Sequence, residues 1–69
     1  MNNRYSMEIQ WSDADEAFVV TLPEFENART HGSTYDEAVA NAQDVLDLLI
    51  ETWKNDNRPL PTPQTLPVE

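Results

Sequence analysis

The stretch Thr30-His31-Gly32-Ser33-Thr34-Tyr35-Asp36-Glu37-Ala38 constrains the fold more than any other, because it compresses a strand end, a glycine turn and a helix start. Thr34 followed three residues later by Glu37 is a capping box. Each side chain there satisfies a backbone amide that the first helical turn leaves open, worth about 1 kcal/mol. Gly32 is the only glycine in the chain and stands just ahead of the cap, where a positive φ is expected. Gly32, Thr34 and Glu37 are therefore read as structural residues. A helix is predicted over about residues 35–54.

The helix has one apolar face. At 100° per residue, Tyr35, Ala38, Val39, Ala42, Val45, Leu46, Leu49, Ile50 and Trp53 fall within an arc of about 140°. Asp36, Gln43, Asp44, Asp47, Glu51 and Lys54 lie opposite, so the helix should rest on a sheet with its acidic side in water. Leu48 falls outside the arc. It reads either as an ordinary exposed leucine or as the mark of an interface.

Upstream, Arg4 to Trp11 alternates, with Tyr5, Met7, Ile9 and Trp11 on one face and Arg4, Ser6, Glu8 and Gln10 on the other. That is the pattern of a half-buried strand, predicted over about 4–11. Ser12-Asp13-Ala14-Asp15-Glu16 is a polar turn, and Ala17 to Leu22 reads as the return arm of a hairpin, over about 17–22. Pro23 lacks an N–H and stops the ladder. After the loop Glu24-Phe25-Glu26-Asn27, a short third strand is expected over about 28–31. Arg58-Pro59-Leu60-Pro61-Thr62-Pro63 can neither continue the helix nor sit inside a sheet, so it reads as an extended exit over about 58–69. An edge strand over about 65–68 is conceivable, against which Pro67 argues. The fold class is α+β, a β-β-β-α(-β) order with an antiparallel three-stranded sheet covered on one face by one long helix.

Sixty-nine residues make one domain with a marginal core. Disulfides and metals, which often support such small domains, are disfavoured by the absence of cysteine and the presence of a single histidine. Self-association is left, and a homo-oligomer, dimer or tetramer, is expected. No apolar run approaches the ~20 residues of a membrane span, and Met1-Asn2-Asn3-Arg4 lacks the apolar stretch of a signal peptide, so the chain reads as cytoplasmic. Thirteen acidic residues against four basic ones give a net charge of −9, which repels phosphate backbones and attracts basic macromolecules. Direct nucleic-acid binding is not expected. Charge alone is equally satisfied by solubility.

No catalytic, cofactor or metal site is predicted. His31 is the only imidazole and lacks the local partners of a base or a metal ligand. Ser12, Ser33 and Thr34 carry no nucleophile motif. Asp13, Asp15 and Glu16 resemble the opening of a calcium loop, but the position that requires glycine holds Phe18 and the run enters an apolar strand. The aromatic residues lack the basic neighbours of a base-stacking platform and read as core. Phe25 has two readings, folded back onto the helix or projecting as an anchor for a partner.

Taken in order, Phe18-Val19-Val20-Thr21-Leu22-Pro23-Glu24-Phe25, Thr30-His31-Gly32-Ser33-Thr34-Tyr35-Asp36-Glu37-Ala38 and Pro59-Leu60-Pro61-Thr62-Pro63 resemble the N-terminal domain of HicB-family antitoxins, from Tyr5 to about Pro63. The resemblance implies a partial ribonuclease-H-like fold whose helix crosses over to a last strand beside the first. It implies no enzymatic activity and no cofactor. It implies as partner a small, basic, messenger-RNA-cleaving toxin of HicA type, whose catalytic histidine belongs to the toxin. Asp13, Asp15, Glu16, Glu24, Phe25 and Glu26 are then the candidate contacts, from loop position and, for all but Phe25, charge. Two departures stand out. Glu26-Asn27 replaces the Pro-Gly of many relatives, a turn that asparagine can still make in the left-handed conformation. The sequence ends at Glu69 without the C-terminal DNA-binding segment common in the family, so operator binding is not expected of these residues. The alternative reading is an orphan, homo-oligomeric protein-binding module of the same family without a toxin.

Overall fold

The computed structural model describes residues 4–67. Strands β1 (Glu8–Ser12), β2 (Ala17–Leu22) and β3 (Ala28–Gly32) precede a single helix, α1 (Tyr35–Asn55), with a short 3-10 turn at Pro23–Phe25. The strands form an antiparallel sheet in the order β1-β2-β3, so the middle strand is β2 and both others are edges. The register aligns Gln10 with Val19 and Val19 with His31, and Glu8 with Thr21 and Thr21 with Arg29. Because side chains alternate along a strand, these residues share one face. The other face carries Ile9, Val20 and Leu22 toward the helix.

α1 lies chiefly over β3 and β2. Its buried row is Ala38, Ala42, Leu46 and Ile50, which close on Val20, Leu22 and Phe25 to make the core. The row is small where the helix meets Gly32 and larger beyond. Leu48 stands 63 % exposed, outside the apolar face as its position in the helix requires. Tyr35 departs from the expected core face: it is 57 % exposed and stacks on the Phe18 ring, outside the buried row that begins at Ala38.

Gly32 does not adopt a positive φ. The expected reason for a glycine is replaced by another: a Cβ there would collide with the amide nitrogen of Ala38 and come within 2.7 Å of its Cα. The glycine lets the first turn of the helix touch the strand. The cap forms, but with a shifted partner. Thr34 Oγ1 accepts the Glu37 N–H at 3.1 Å, while Glu37 Oε1 reaches one residue further back and accepts the Ser33 N–H at 3.1 Å. Left-handed conformations fall instead on Glu16, Glu26, Asn27 and Asn57. Asn27 thus makes the turn that it was expected to make, together with Glu26.

The first strand is shorter than its alternation implied, starting at Glu8 rather than Arg4. Its would-be partner strand ends at Leu22, and the Ser6 N–H is bound instead by the Glu24 carboxylate at 3.1 Å. Tyr5, Met7 and Ile9 nevertheless pack against the core, as the alternation requires. The segment after the helix is extended and forms no strand through Pro67; Val68, in the suggested last strand, and Glu69, in the exit segment, lie outside the described residues. This exit runs beside the N-terminal segment, where the Tyr5 hydroxyl donates to the Pro61 carbonyl at 2.8 Å and the Ser6 hydroxyl to the Gln64 carbonyl at 3.3 Å.

Candidate protein-binding surface

The six candidate contacts divide between opposite ends of β2, whose six residues span about 20 Å. At one end, Asp13, Asp15 and Glu16 are exposed in the β1–β2 turn. Asp15 is held by Ser12: its N–H donates to Ser12 Oγ at 3.2 Å, and that hydroxyl donates to Asp15 Oδ2 at 3.1 Å. Asp13 Oδ1 accepts the indole N–H of Trp11 at 2.9 Å. These carboxylates are presented to solvent on a braced turn.

At the other end, Glu24 and Phe25 are 8 % and 2 % exposed and do not present a contact surface. Glu24 accepts hydrogen bonds from the Ser6 amide and hydroxyl and from the Gln64 amide. Burial alone would raise its pKa, but these bonds outweigh burial and hold it below 4.5. Phe25 folds back, edge-on to Tyr5 at 4.8 Å and to Trp53 at 5.2 Å. Glu26 remains exposed and pairs with Arg58 at 3.1 Å, while the Arg58 guanidinium lies 3.7 Å from the centre of the Trp53 ring.

A feature that the pattern of the sequence concealed lies beside the acidic turn. Trp11, Phe18 and Tyr35 form a second aromatic run. Trp11 meets Phe18 edge-on at 5.0 Å, and Phe18 stacks on Tyr35 at 4.4 Å. Trp11 is 51 % exposed and Tyr35 57 %. The signal available was positional: Trp11 is the last apolar residue before the turn, and Tyr35 opens the helix.

The uncovered face of the sheet forms a shallow depression lined by Gln10, Val19, Thr21, Arg29 and His31 among others. His31 is exposed, and its backbone carbonyl accepts the side-chain amide of Asn41 at 2.8 Å, which occupies part of the outer edge of β3. Among the described residues no group of three or more His, Cys, Asp or Glu could hold a metal ion, and no helix is long and apolar enough to cross a membrane.

A small antiparallel sheet backed by one helix, with an acidic and aromatic end open to solvent, makes an α+β domain. Residues 4–68 match the family of HicB-like antitoxins of bacterial toxin–antitoxin systems, and the chain belongs to that family. It is 34 % identical over 64 residues to Antitoxin HicB 2 of Photorhabdus laumondii subsp. laumondii, an alignment covering 93 % of this chain and 45 % of that protein. The chain thus spans less than half the length of this relative. No solved structure matches it significantly.

Proposed function

We propose that this domain binds and neutralises a basic, messenger-RNA-cleaving toxin of HicA type, acting in the cytoplasm without enzymatic activity of its own. Family membership supports the antitoxin role. The observation that carries the mode of binding is the braced, exposed turn bearing Asp13, Asp15 and Glu16 in a chain of net charge −9. Carboxylates set against a basic RNA-binding face occupy it and deny it to RNA, and such contacts steer association. The test is to purify the product of the open reading frame beside this one and measure its RNA cleavage and its binding with and without the domain. Inhibition with affinity that falls as salt rises is expected. A folded domain that neither binds nor inhibits removes the reading.

The uncovered sheet face favours self-association as well. The row Glu8, Thr21, Arg29 places opposite charges at its two ends. Two copies meeting face to face about a two-fold axis would set each Glu8 against Arg29 of the second copy while covering Val19. Trp11, Ser12 and Asp15 border the same depression, so such an assembly would adjoin one side of the acidic turn.

A further inference from the structure

We propose that Trp11 and Asp13 form a receptor for an arginine side chain presented by the partner protein, with Tyr35 and Asp15 at its margin. The inference rests on the antitoxin reading and names the chemistry of its contact.

The molecule contains a filled site built from the same kinds of group, although its carboxylate meets the guanidinium and not the indole N–H. At one end of the fold the Trp53 indole carries the Arg58 guanidinium 3.7 Å above it, and that guanidinium also binds the Glu26 carboxylate at 3.1 Å. Indole, guanidinium and carboxylate are all in place. At the other end the Trp11 indole lies beside the Asp13 carboxylate, fixed to it by a 2.9 Å hydrogen bond, and among the described residues no cation lies over the ring. The aromatic partners correspond too: Trp53 is braced edge-on by Phe25 and Trp11 edge-on by Phe18. The difference is exposure. The first indole is half-buried, with Arg58 over its ring, whereas Trp11 is 51 % exposed.

A ring held in place costs little further entropy on binding, and an exposed, braced tryptophan is the kind of residue that dominates an interface. A carboxylate beside it selects for positive charge. Arginine fits better than lysine, since its planar guanidinium stacks on an aromatic face while donating to a carboxylate, and it is more weakly hydrated than an ammonium. A phosphate or nucleic acid is repelled by Asp13, Asp15 and Glu16. A second copy of this chain is the competing occupant.

The test uses the full chain labelled with nitrogen-15, in which the two indole N–H signals report separately on Trp11 and Trp53. An arginine-glycine repeat peptide is titrated in, with the matching lysine-glycine peptide as control. The arginine peptide is expected to shift the Trp11 signal and leave Trp53 unmoved, with the lysine peptide binding more weakly; Asp13→Asn, which keeps the hydrogen-bond acceptor but removes the charge, should weaken the arginine peptide. In parallel, the neighbouring toxin is bound to wild type, Trp11→Ala and Leu48→Ala. Trp11→Ala should weaken it about tenfold, and Leu48→Ala should not change it.

No shift of Trp11 with the arginine peptide overturns the receptor, as does equal toxin affinity of Trp11→Ala and wild type while the antitoxin reading stands. If the toxin fails to bind wild type but the arginine peptide still seats on Trp11, the antitoxin reading falls and the receptor survives. If Trp11→Ala instead breaks a homo-oligomer without altering peptide binding, a second copy occupies the site and the proposal is wrong.

Discussion

Glu24 and Gln64 stand 40 positions apart, yet the Gln64 amide donates to the Glu24 carboxylate at 2.9 Å. The same carboxylate takes the Ser6 amide and hydroxyl, so one buried acid ties both flanking segments to the 3-10 turn after β2. A group that looks like a loop contact in the sequence is a structural fastener in the fold. Hydrogen bonds to charged groups contribute about 1.5–3 kcal/mol each, net of the bonds to water that they replace.

This acid gives stability a pH dependence of defined sign. The folded pKa of Glu24 lies below its ordinary value of 4.5, so between the two values the unfolded chain binds the proton more readily than the folded one. Its contribution is present in full above the unfolded value, declines as pH falls below it, and is gone once pH is below the folded value. Other carboxylates relieve mutual repulsion as they protonate, which acts in the opposite sense. Denaturant unfolding of wild type and Glu24→Gln across pH 7 to 3 isolates the term. The gap between them should be about 1–2 kcal/mol at neutral pH and shrink toward acid; a constant gap would refute this role.

Gly32→Ala should destabilise the domain by about 1–3 kcal/mol through overpacking. The added methyl would meet the Ala38 backbone, at 2.7 Å from its Cα, and backbone atoms cannot swing aside as a side-chain tip can. Denaturant midpoints give the number. Stability unchanged within a few tenths of a kcal/mol would mean that the helix shifts without cost.

Thr34→Ala removes the acceptor for the Glu37 amide and should cost about 1 kcal/mol. Toxin affinity of the folded variant should match wild type, because the cap supports the helix and lies outside the proposed contacts. Calorimetry at a temperature where both proteins are folded separates the two effects. Lost binding without lost stability would move the functional surface to the cap.

Self-association through the uncovered sheet face predicts an oligomer by light scattering at micromolar concentration, with Val19→Lys reverting it to a monomer while circular dichroism stays unchanged. Wild type that is monomeric under those conditions would rule out the face-to-face assembly.

The hairpin and helix were legible because their signals are local. Thr34, Glu37 and the apolar row from Ala38 to Ile50 interact within a few turns, and β2 and β3 are bounded by Pro23 and Gly32. What escaped was set by contacts far along the chain. The alternation of Tyr5 and Met7 reports truthfully which way they face, but periodicity carries no information on whether a neighbouring strand extends far enough to pair with them. Burial of Glu24 depends on amides 18 and 40 positions away. Tyr35 keeps helical phase with the core residues yet is 57 % exposed, and phase alone does not tell how far a sheet extends beneath a helix. The same limit applied to Trp11, whose apolar phase is correct and whose cover is missing.

The segment after the helix has a kinetic consequence. Its bonds to Tyr5 and Ser6 close separations of 56 and 58 positions, the longest hydrogen-bonded loops described in the fold. Contacts of such span reward the chain only after their loop entropy has been spent. The expected sequence of assembly is hairpin and helix first, with docking of the two flanking segments last. On the ribosome, that final step must wait until residue 64 has cleared the exit tunnel, so the nascent domain passes through an interval in which the Tyr5, Phe25 and Trp53 rings are open to water.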